Sequence, residues 1–378
     1  MRLRLGMVGG GEGAFIGAVH RLAARMDDEF ALVAGAFSSD WENCRRTGEL
    51  LHVDPQRCYR DFAQMALAEA AREDGIDAVA IVTPNYLHAP VATAFLDAGI
   101  DVICDKPLCN SYPEALQLAE KVRRSGRQLI LTHNYSAYPL VREARSRVLA
   151  GELGEVRFIE VEYLQEWLAQ PLELTDNKQA GWRAEPEKAG AGCIGDVGTH
   201  AWQLAQFVCG MLPQAISAEL STFIAGRRLD DDVRVQMRYA NGAKGRLWAS
   251  QVACGHENGL RLRVYGSEGS LAFNQEQPNQ LWIRPRDAPA YCITRASSFQ
   301  HAENLRLTRV PAGHPEGYLE GFGQIYREAA RRLREGPEAA PLLPGIETGV
   351  QGMAFIDAAQ RSSAAGGEWI DVEEFIFH

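Results

Sequence analysis

Leu3-Arg4-Leu5-Gly6-Met7-Val8-Gly9-Gly10-Gly11-Glu12-Gly13-Ala14-Phe15-Ile16-Gly17 runs from a short apolar strand, through a glycine-rich turn, into the start of a helix. A turn of this kind can cradle the pyrophosphate of a dinucleotide. Glycine permits the tight bend and the close approach of backbone, and the free N–H groups of the helix that follows point at the phosphates. Gly9, Gly11 and Gly13, with Ala14, Phe15 and Ile16 at the mouth of the helix, are therefore candidate cofactor contacts. Gly17 lies eight residues beyond Gly9, where a spacing of about five is usual, so the loop is expected to be longer than standard.

Outward from this turn, apolar runs at Leu32–Phe37, Ala78–Val82, Val102–Cys104 and Gln128–Leu131 alternate with helical patterns that include 61–73, 88–98 and 112–125. Gly99 and Gly126 stand where helices end and a left-handed residue is wanted. This alternation predicts a parallel sheet covered on both faces, as in the doubly wound dinucleotide fold. The pattern changes near residue 133. After a helix at about 139–150 and an alternating strand at Val156–Tyr163, strands at 215–224, 232–240, 244–254, 260–266 and 270–273 follow one another, with Asn241-Gly242 as a hairpin turn. Helices at about 316–334 and 346–364 close the chain. The expected division is a dinucleotide-binding domain at 1–132 and a second α/β domain with a large, mostly antiparallel sheet at 133–378.

Bulk properties narrow the class of function. A chain of 378 residues, 46% hydrophobic and 23% charged, is long enough for two cores. Its formal charge of −10 offers no basic patch for nucleic acid or anionic lipid. No apolar stretch approaches the ~20 residues of a membrane span, and Met1-Arg2-Leu3-Arg4-Leu5 leads into a strand, not a targeting segment. A cytoplasmic protein is expected. The eight cysteines form no Cys-x-x-Cys pair and the nine histidines no His-Glu-x-x-His pattern, so free thiols and no metal are expected.

Four further stretches carry chemistry. The second strand ends in Phe37-Ser38-Ser39-Asp40. Asp40 could bind the ribose hydroxyls of NAD or cap the next helix. Ser38, Ser39, Arg45 or Arg46 could instead receive the 2′-phosphate of NADP, and NAD is slightly favoured because no arginine directly follows the strand. Thr83-Pro84-Asn85-Tyr86-Leu87-His88 and Asp105-Lys106-Pro107 follow two strand ends, where ligands bind in open α/β sheets; a simple Pro-Asn turn and a surface lysine are the plain alternatives. In the crevice, Lys106 would hydrogen-bond a substrate hydroxyl and favour its alkoxide. Gly195-Asp196-Val197-Gly198-Thr199-His200 places a carboxylate and an imidazole one turn apart if a helix starts near 196. His200 then suits a general base with Asp196 as its support, unless Asp196 is a cap and His200 a core histidine.

Taken together these residues resemble the glucose–fructose oxidoreductase/inositol dehydrogenase (Gfo/Idh/MocA) family. Asp105-Lys106-Pro107 looks like its Glu-Lys-Pro, Gly195–His200 like its Gly-Asp-x-Gly-(Thr/Ser)-His, and Thr83-Pro84-Asn85 with His88 like its third signature. Gly181-Trp182-Arg183 is similar to a stretch often found upstream. The similarity runs along essentially the whole chain. It implies a Rossmann domain plus a C-terminal α/β domain whose open sheet mediates homodimers or homotetramers. It also implies a catalytic set of Lys106, Asp196 and His200, and hydride transfer between the nicotinamide of NAD (or NADP) and a sugar, anhydrosugar or inositol-like polyol. Asp105 and Asn134 are expected beside the cofactor, and Tyr135, Trp182 and Arg183 beside the substrate. Asp105 replaces the family's usual Glu and the glycine loop is expanded, which leaves cofactor type open. The competing readings are an NADPH-dependent keto-sugar reductase and a non-catalytic dinucleotide-binding regulator.

Overall fold

The computed structural model describes residues 1–175 and 177–372. They form two compact units, the first made of Met1–Asn134 and Tyr318–Val350, the second of Tyr135–Gly317 and the chain from Gln351 onward.

In the first unit, strands β1 (Leu3–Gly9), β2 (Phe30–Ala36), β3 (Ala78–Val82), β4 (Asp101–Cys104) and β5 (Leu129–Leu131) form a parallel sheet in the order β2-β1-β3-β4-β5. Met7, Ala78–Ile81, Val102–Cys104, Ile130 and Leu131 are fully buried, as expected of strands covered on both faces. The helices are α1 (Phe15–Met26), α2 (Trp41–Leu50), α3 (Phe62–Ala70), α4 (His88–Asp97) and α5 (Tyr112–Ser125). Gly99 and Gly126 adopt φ of +75° and +65° just beyond α4 and α5, the left-handed terminator the sequence suggests. Beside β2 a further strand is reduced to one parallel bridge, Gly35 with Cys58, with Tyr59 N–H donating to the Gly35 carbonyl at 2.9 Å. The strand order reverses between β1 and β3, which opens a crevice at their carboxyl ends.

The second unit contains α6 (Pro139–Leu149), β6 (Val156–Leu164), α7 (Lys178–Arg183), α8 (Pro186–Ala189), α9 (Thr199–Cys209), β7 (Pro213–Ser221), β8 (Asp232–Tyr239), β9 (Lys244–Ser250), β10 (Gly259–Gly266), β11 (Gly269–Asn274), β12 (Gln280–Pro285), β13 (Tyr291–Thr294) and α10 (Ala302–Leu305). Its sheet has the order β13-β12-β11-β10-β6-β9-β8-β7-β14, where β14 is Ile370–Asp371, and among the described residues only β6 with β9 is parallel. Strict alternation in β6, β8 and β10 buries Ile159, Val161, Val235, Met237, Leu262 and Val264 on one face, against which α9 packs. The other face carries exposed Phe158, Tyr265 and Trp282, with Arg246 and Arg263 paired to Glu160 at 3.3 and 3.4 Å. An α/β protein with a parallel sheet followed by a mostly antiparallel one is what the sequence pattern indicates.

One difference concerns the late chain. The sequence suggests that everything after 132 belongs to the second domain, yet helix α11 (Tyr318–Glu335) and the start of α12 (Ile346–Ala364) fall in the first unit. The cause is a buried polar and aromatic contact: Tyr326 Oη lies 2.8 Å from His20 Nδ1 on α1, and its ring meets Phe30 edge-on at 5.5 Å. Among the described residues no helix is long and apolar enough to cross a membrane.

Candidate functional site

The glycine turn has the geometry its composition requires. Gly9, Gly10 and Gly13 have φ of +83°, +71° and +86°, a region side chains disfavour. A Cβ on Gly17 would lie 2.3 Å from the Gly10 Cα and one on Gly11 2.9 Å from the Phe37 carbonyl oxygen. Gly17, not Ala14, thus provides the close contact between helix and loop, and the loop is longer than standard by the residues in between. Ala14, the N-cap of α1, gives no side-chain cap and the first turn carries no acid, whereas Asp40, Asp61 and Ser111 cap α2, α3 and α5. The first N–H groups of α1 are thereby left to an anion, which fits a dinucleotide's pyrophosphate. Phe15 stands exposed at this mouth and Ile16 beside it is half-buried.

Asp40 caps α2, its Oδ1 accepting from the N–H groups of Glu42 and Asn43 at 3.0 and 3.5 Å, while Ser38 Oγ accepts from Asp40 N–H at 3.1 Å. The two arginines considered for a 2′-phosphate are engaged with acids: Arg45 with Glu42 at 3.3 Å and Glu49 at 3.8 Å, and Arg46 with Glu12 of the glycine loop. These pairs are exposed.

At the ends of β3 and β4, Thr83 and Pro84 lead into a turn that begins with buried Asn85. His88 departs from the expected cofactor contact. It is buried, with Nδ1 2.7 Å from the Pro107 carbonyl oxygen and Nε2 3.0 Å from that of Thr83, so both nitrogens brace the chain itself. Asp105 Oδ1 accepts from the Lys106 N–H at 2.8 Å and from Thr132 Oγ1 at 3.0 Å; a short carboxylate fits here because it ties β4 to β5. Lys106 is half-buried. Burial, with the Lys106 charge adding to it, pushes the neighbouring His133 down to about 3. Asn134, buried, ends this unit with its N–H on the Thr132 carbonyl at 2.8 Å.

Asp196 and His200 lie in the second unit. The segment Ile194–Gly198 is a π-turn running into α9, so the helix begins before Asp196, which does not cap it. Single π-turns inside helices recur at functional positions. Arg183 Nε reaches Asp196 Oδ2 at 3.3 Å and Gln251 Nε2 donates to the same oxygen at 2.8 Å, so the carboxylate is held by two donors. Arg183 is in turn held by Gln179 Oε1 at 2.7 Å and lies 4.3 Å over the Trp182 ring. The His200 ring is buried, with Tyr135 at 4.9 Å and Tyr163 at 6.1 Å edge-on. Tyr135 Oη is 2.7 Å from Tyr163 Oη, which donates to Asn258 Oδ1 at 2.7 Å, and Gln165 Nε2 donates to that same oxygen at 2.8 Å. Sequence reasoning did not single out Tyr163, Gln165, Gln251 or Asn258. They come from strand ends and loops far apart in the chain, with no motif to mark them. In chemical terms the second unit offers an anchored carboxylate, an imidazole and a chain of amide and phenol groups suited to hydroxyls.

The chain is similar to known proteins over nearly its whole length. A family model described as an oxidoreductase family with NAD-binding Rossmann fold matches residues 3–133, and the GFO/IDH/MocA C-terminal domain matches residues 141–272. A solved oxidoreductase from Sinorhizobium meliloti is 47% identical, with a TM-score of 0.90 over 98% of this chain and all of that one. A solved inositol dehydrogenase homolog from Azotobacter vinelandii, complexed with NADH and myo-inositol, is 36% identical, with a TM-score of 0.92 over 98% of each chain. Levoglucosan dehydrogenase from Pseudarthrobacter phenanthrenivorans is 28% identical over 98% of each chain.

Proposed function

The chain belongs to the GFO/IDH/MocA family of NAD-binding oxidoreductases, and from that premise we propose that it oxidises or reduces a secondary hydroxyl or ketone of a sugar, anhydrosugar or inositol-like polyol. The observation that carries this reading is the pairing, within one π-turn and helix, of His200 with an Asp196 carboxylate anchored by Arg183 and Gln251. Gly9, Gly11, Gly13 and the uncapped first turn of α1 would hold the pyrophosphate of NAD. Bound there, the cofactor supplies a nicotinamide carbon that accepts or gives the hydride. His200 takes the hydroxyl proton as the carbon–hydrogen bond is lost, and returns it in the reverse direction. Lys106 donates a hydrogen bond to the same oxygen and favours its alkoxide character. Asp196 stays charged, supports the imidazolium that forms and offers an acceptor to a neighbouring hydroxyl. Tyr135, Trp182 and Arg183 flank the polyol. NAD fits better than NADP because Arg45 and Arg46 are held by carboxylates.

The outer face of the nine-stranded sheet, with Phe158, Tyr265 and Trp282 exposed, supports assembly as a homodimer or homotetramer. The eight cysteines are unpaired, in keeping with a reducing cytoplasm. The test of the activity is a panel of inositols, pyranoses and anhydrosugars, with their ketones, offered with NAD(H) and NADP(H). Growth or loss of the reduced-nicotinamide absorbance with at least one polyol is the expected result. No hydride transfer with any of them, in either direction, would overturn the reading.

A further inference from the structure

Three consecutive acids, Asp230-Asp231-Asp232, join the loop after β7 to β8 and face three directions. Asp231 is fully buried and accepts from the N–H groups of Phe223 and Ile224 at 2.8 and 3.1 Å. Its Oδ2 is also 3.1 Å from Arg227, whose guanidinium reaches Glu173 at 2.8 Å and the Leu168 carbonyl at 3.0 Å. Asp232 accepts from Trp248 Nε1 at 2.9 Å. Asp230 turns toward the segment that leads into the π-turn. Its Oδ1 accepts from Gly192 N–H at 3.0 Å, its Oδ2 from Ile194 N–H at 2.8 Å, and its carbonyl from Cys193 N–H at 2.8 Å. The two backbones approach so closely that a Cβ on Gly192 would lie 2.1 Å from the Asp230 carbonyl oxygen.

We propose that Asp230 is a positioning residue for proton transfer: by holding both N–H groups at the entrance of the π-turn, its carboxylate sets the placement of Asp196 and His200. The inference rests on the roles given above to those two residues. Only an ionised carboxylate accepts at both oxygens with no donor of its own; a protonated acid or an amide turns an O–H or N–H toward one of the two N–H groups. Burial raises the Asp230 carboxyl to about 6, with Asp231 adding to it and the Ile194 and Gly192 N–H groups opposing. The other charged or titratable groups around it are Asp232 on its own segment, Cys193 on the turn, and Arg183, Arg227 and Glu173, which line the same small cavity. A carboxyl raised in the closed turn is protonated more readily there than in an opened one, so acid does not by itself open the turn; it removes the acceptor at one of the two N–H groups.

The experiment compares the full chain with Asp230→Asn by hydrogen exchange and kinetics. In the variant, exchange at Gly192 and Ile194 should rise roughly 10- to 100-fold, as expected for losing one charged hydrogen bond, while β8 amides stay protected. The rate of turnover should fall by a similar factor, with NAD(H) affinity measured by binding unchanged. kcat should carry the loss with KM little changed, because proton transfer and not binding is displaced. Wild-type exchange at these two positions, or turnover within about twofold of wild type once exchange has risen, would overturn the proposal. If Asp230→Asn fails to fold, Asp230→Glu decides: its longer carboxylate keeps the charge but displaces both acceptors, so exchange at Gly192 and Ile194 should rise and turnover fall together, and wild-type values for either overturn the proposal. The exchange readout needs no substrate, so a wild-type protein that transfers no hydride would refute the proposed function and leave this measurement standing.

Discussion

His88 Nδ1 lies 2.7 Å from the carbonyl oxygen of Pro107, and its other ring nitrogen 3.0 Å from that of Thr83. One imidazole thus joins the ends of β3 and β4, and Pro107 directly follows Lys106. Burial lowers the His88 pKa, while Asp105 and the two carbonyls pull the other way. A neutral ring donates to one carbonyl only.

His88→Ala removes a buried ring and leaves two buried carbonyls without it, so a loss of about 2–4 kcal/mol is expected. His88→Asn keeps a donor for one of them and should fall between. Urea unfolding of the three proteins checks the order; an Ala variant as stable as wild type would mean that the brace is idle.

Asp40 allows a separation of two roles that share one carboxylate. Its Oδ1 caps α2, and losing a cap costs about 1 kcal/mol. Asp40→Asn keeps the cap and removes the charge, whereas Asp40→Ala removes both. If Asp40 also binds the adenosine ribose, Asn should match wild type in stability yet bind NAD less tightly relative to NADP. Equal NAD and NADP affinities for wild type and Asn, by titration, would leave Asp40 as a cap alone.

The acid response follows from two buried imidazoles. Burial lowers His20 to about 4 and His133 to about 3, from 6.5. The unfolded chain then binds more protons than the folded one below pH 6.5, so this contribution is present above that value and lost as pH falls. Each histidine should remove on the order of 3 kcal/mol by about pH 4. Denaturant midpoints measured from neutral pH downward should decline through this window. A flat profile there would show that the rings take up protons without unfolding.

The sequence makes legible what repeats or what chemistry forces. Runs such as Ala78–Val82 leave few alternatives to a buried parallel strand, and the glycines of 9–17 mark a turn that only they can form. Asp40 could not be assigned from sequence, because an acid between a strand and a helix suits a ribose and a cap equally. Arg45 and Arg46 stood as alternative receivers of a 2′-phosphate, and sequence could not show that Glu42, Glu49 and Glu12 pair with them. Asp230, Gln251 and Asn258 were illegible for another reason: each acts on a group dozens of residues away in the chain, and the fold alone supplies the encounter. The return of Tyr326 to His20 is of the same kind.

The residues proposed for chemistry can be told from core residues by substitution. His200 is enclosed by Tyr135 and Tyr163 on a helix whose π-turn presents Asp196, so its ring contributes to packing as well as to proton transfer. Removing a positioned general base costs ~100- to 10,000-fold in rate. His200→Ala should lose turnover by that order, and His200→Asn, closer in volume, should keep more stability while remaining as slow. Lys106→Ala should lose turnover with little change in unfolding, since Lys106 is half-buried at a strand end. Lys106→Arg should not restore it, because a planar fork cannot replace a compact ammonium at a hydroxyl. Steady-state rates beside urea midpoints for the four variants separate the roles. Should His200→Asn retain near-wild-type turnover while His200→Ala loses mainly stability, His200 is a packed core histidine and the base lies elsewhere.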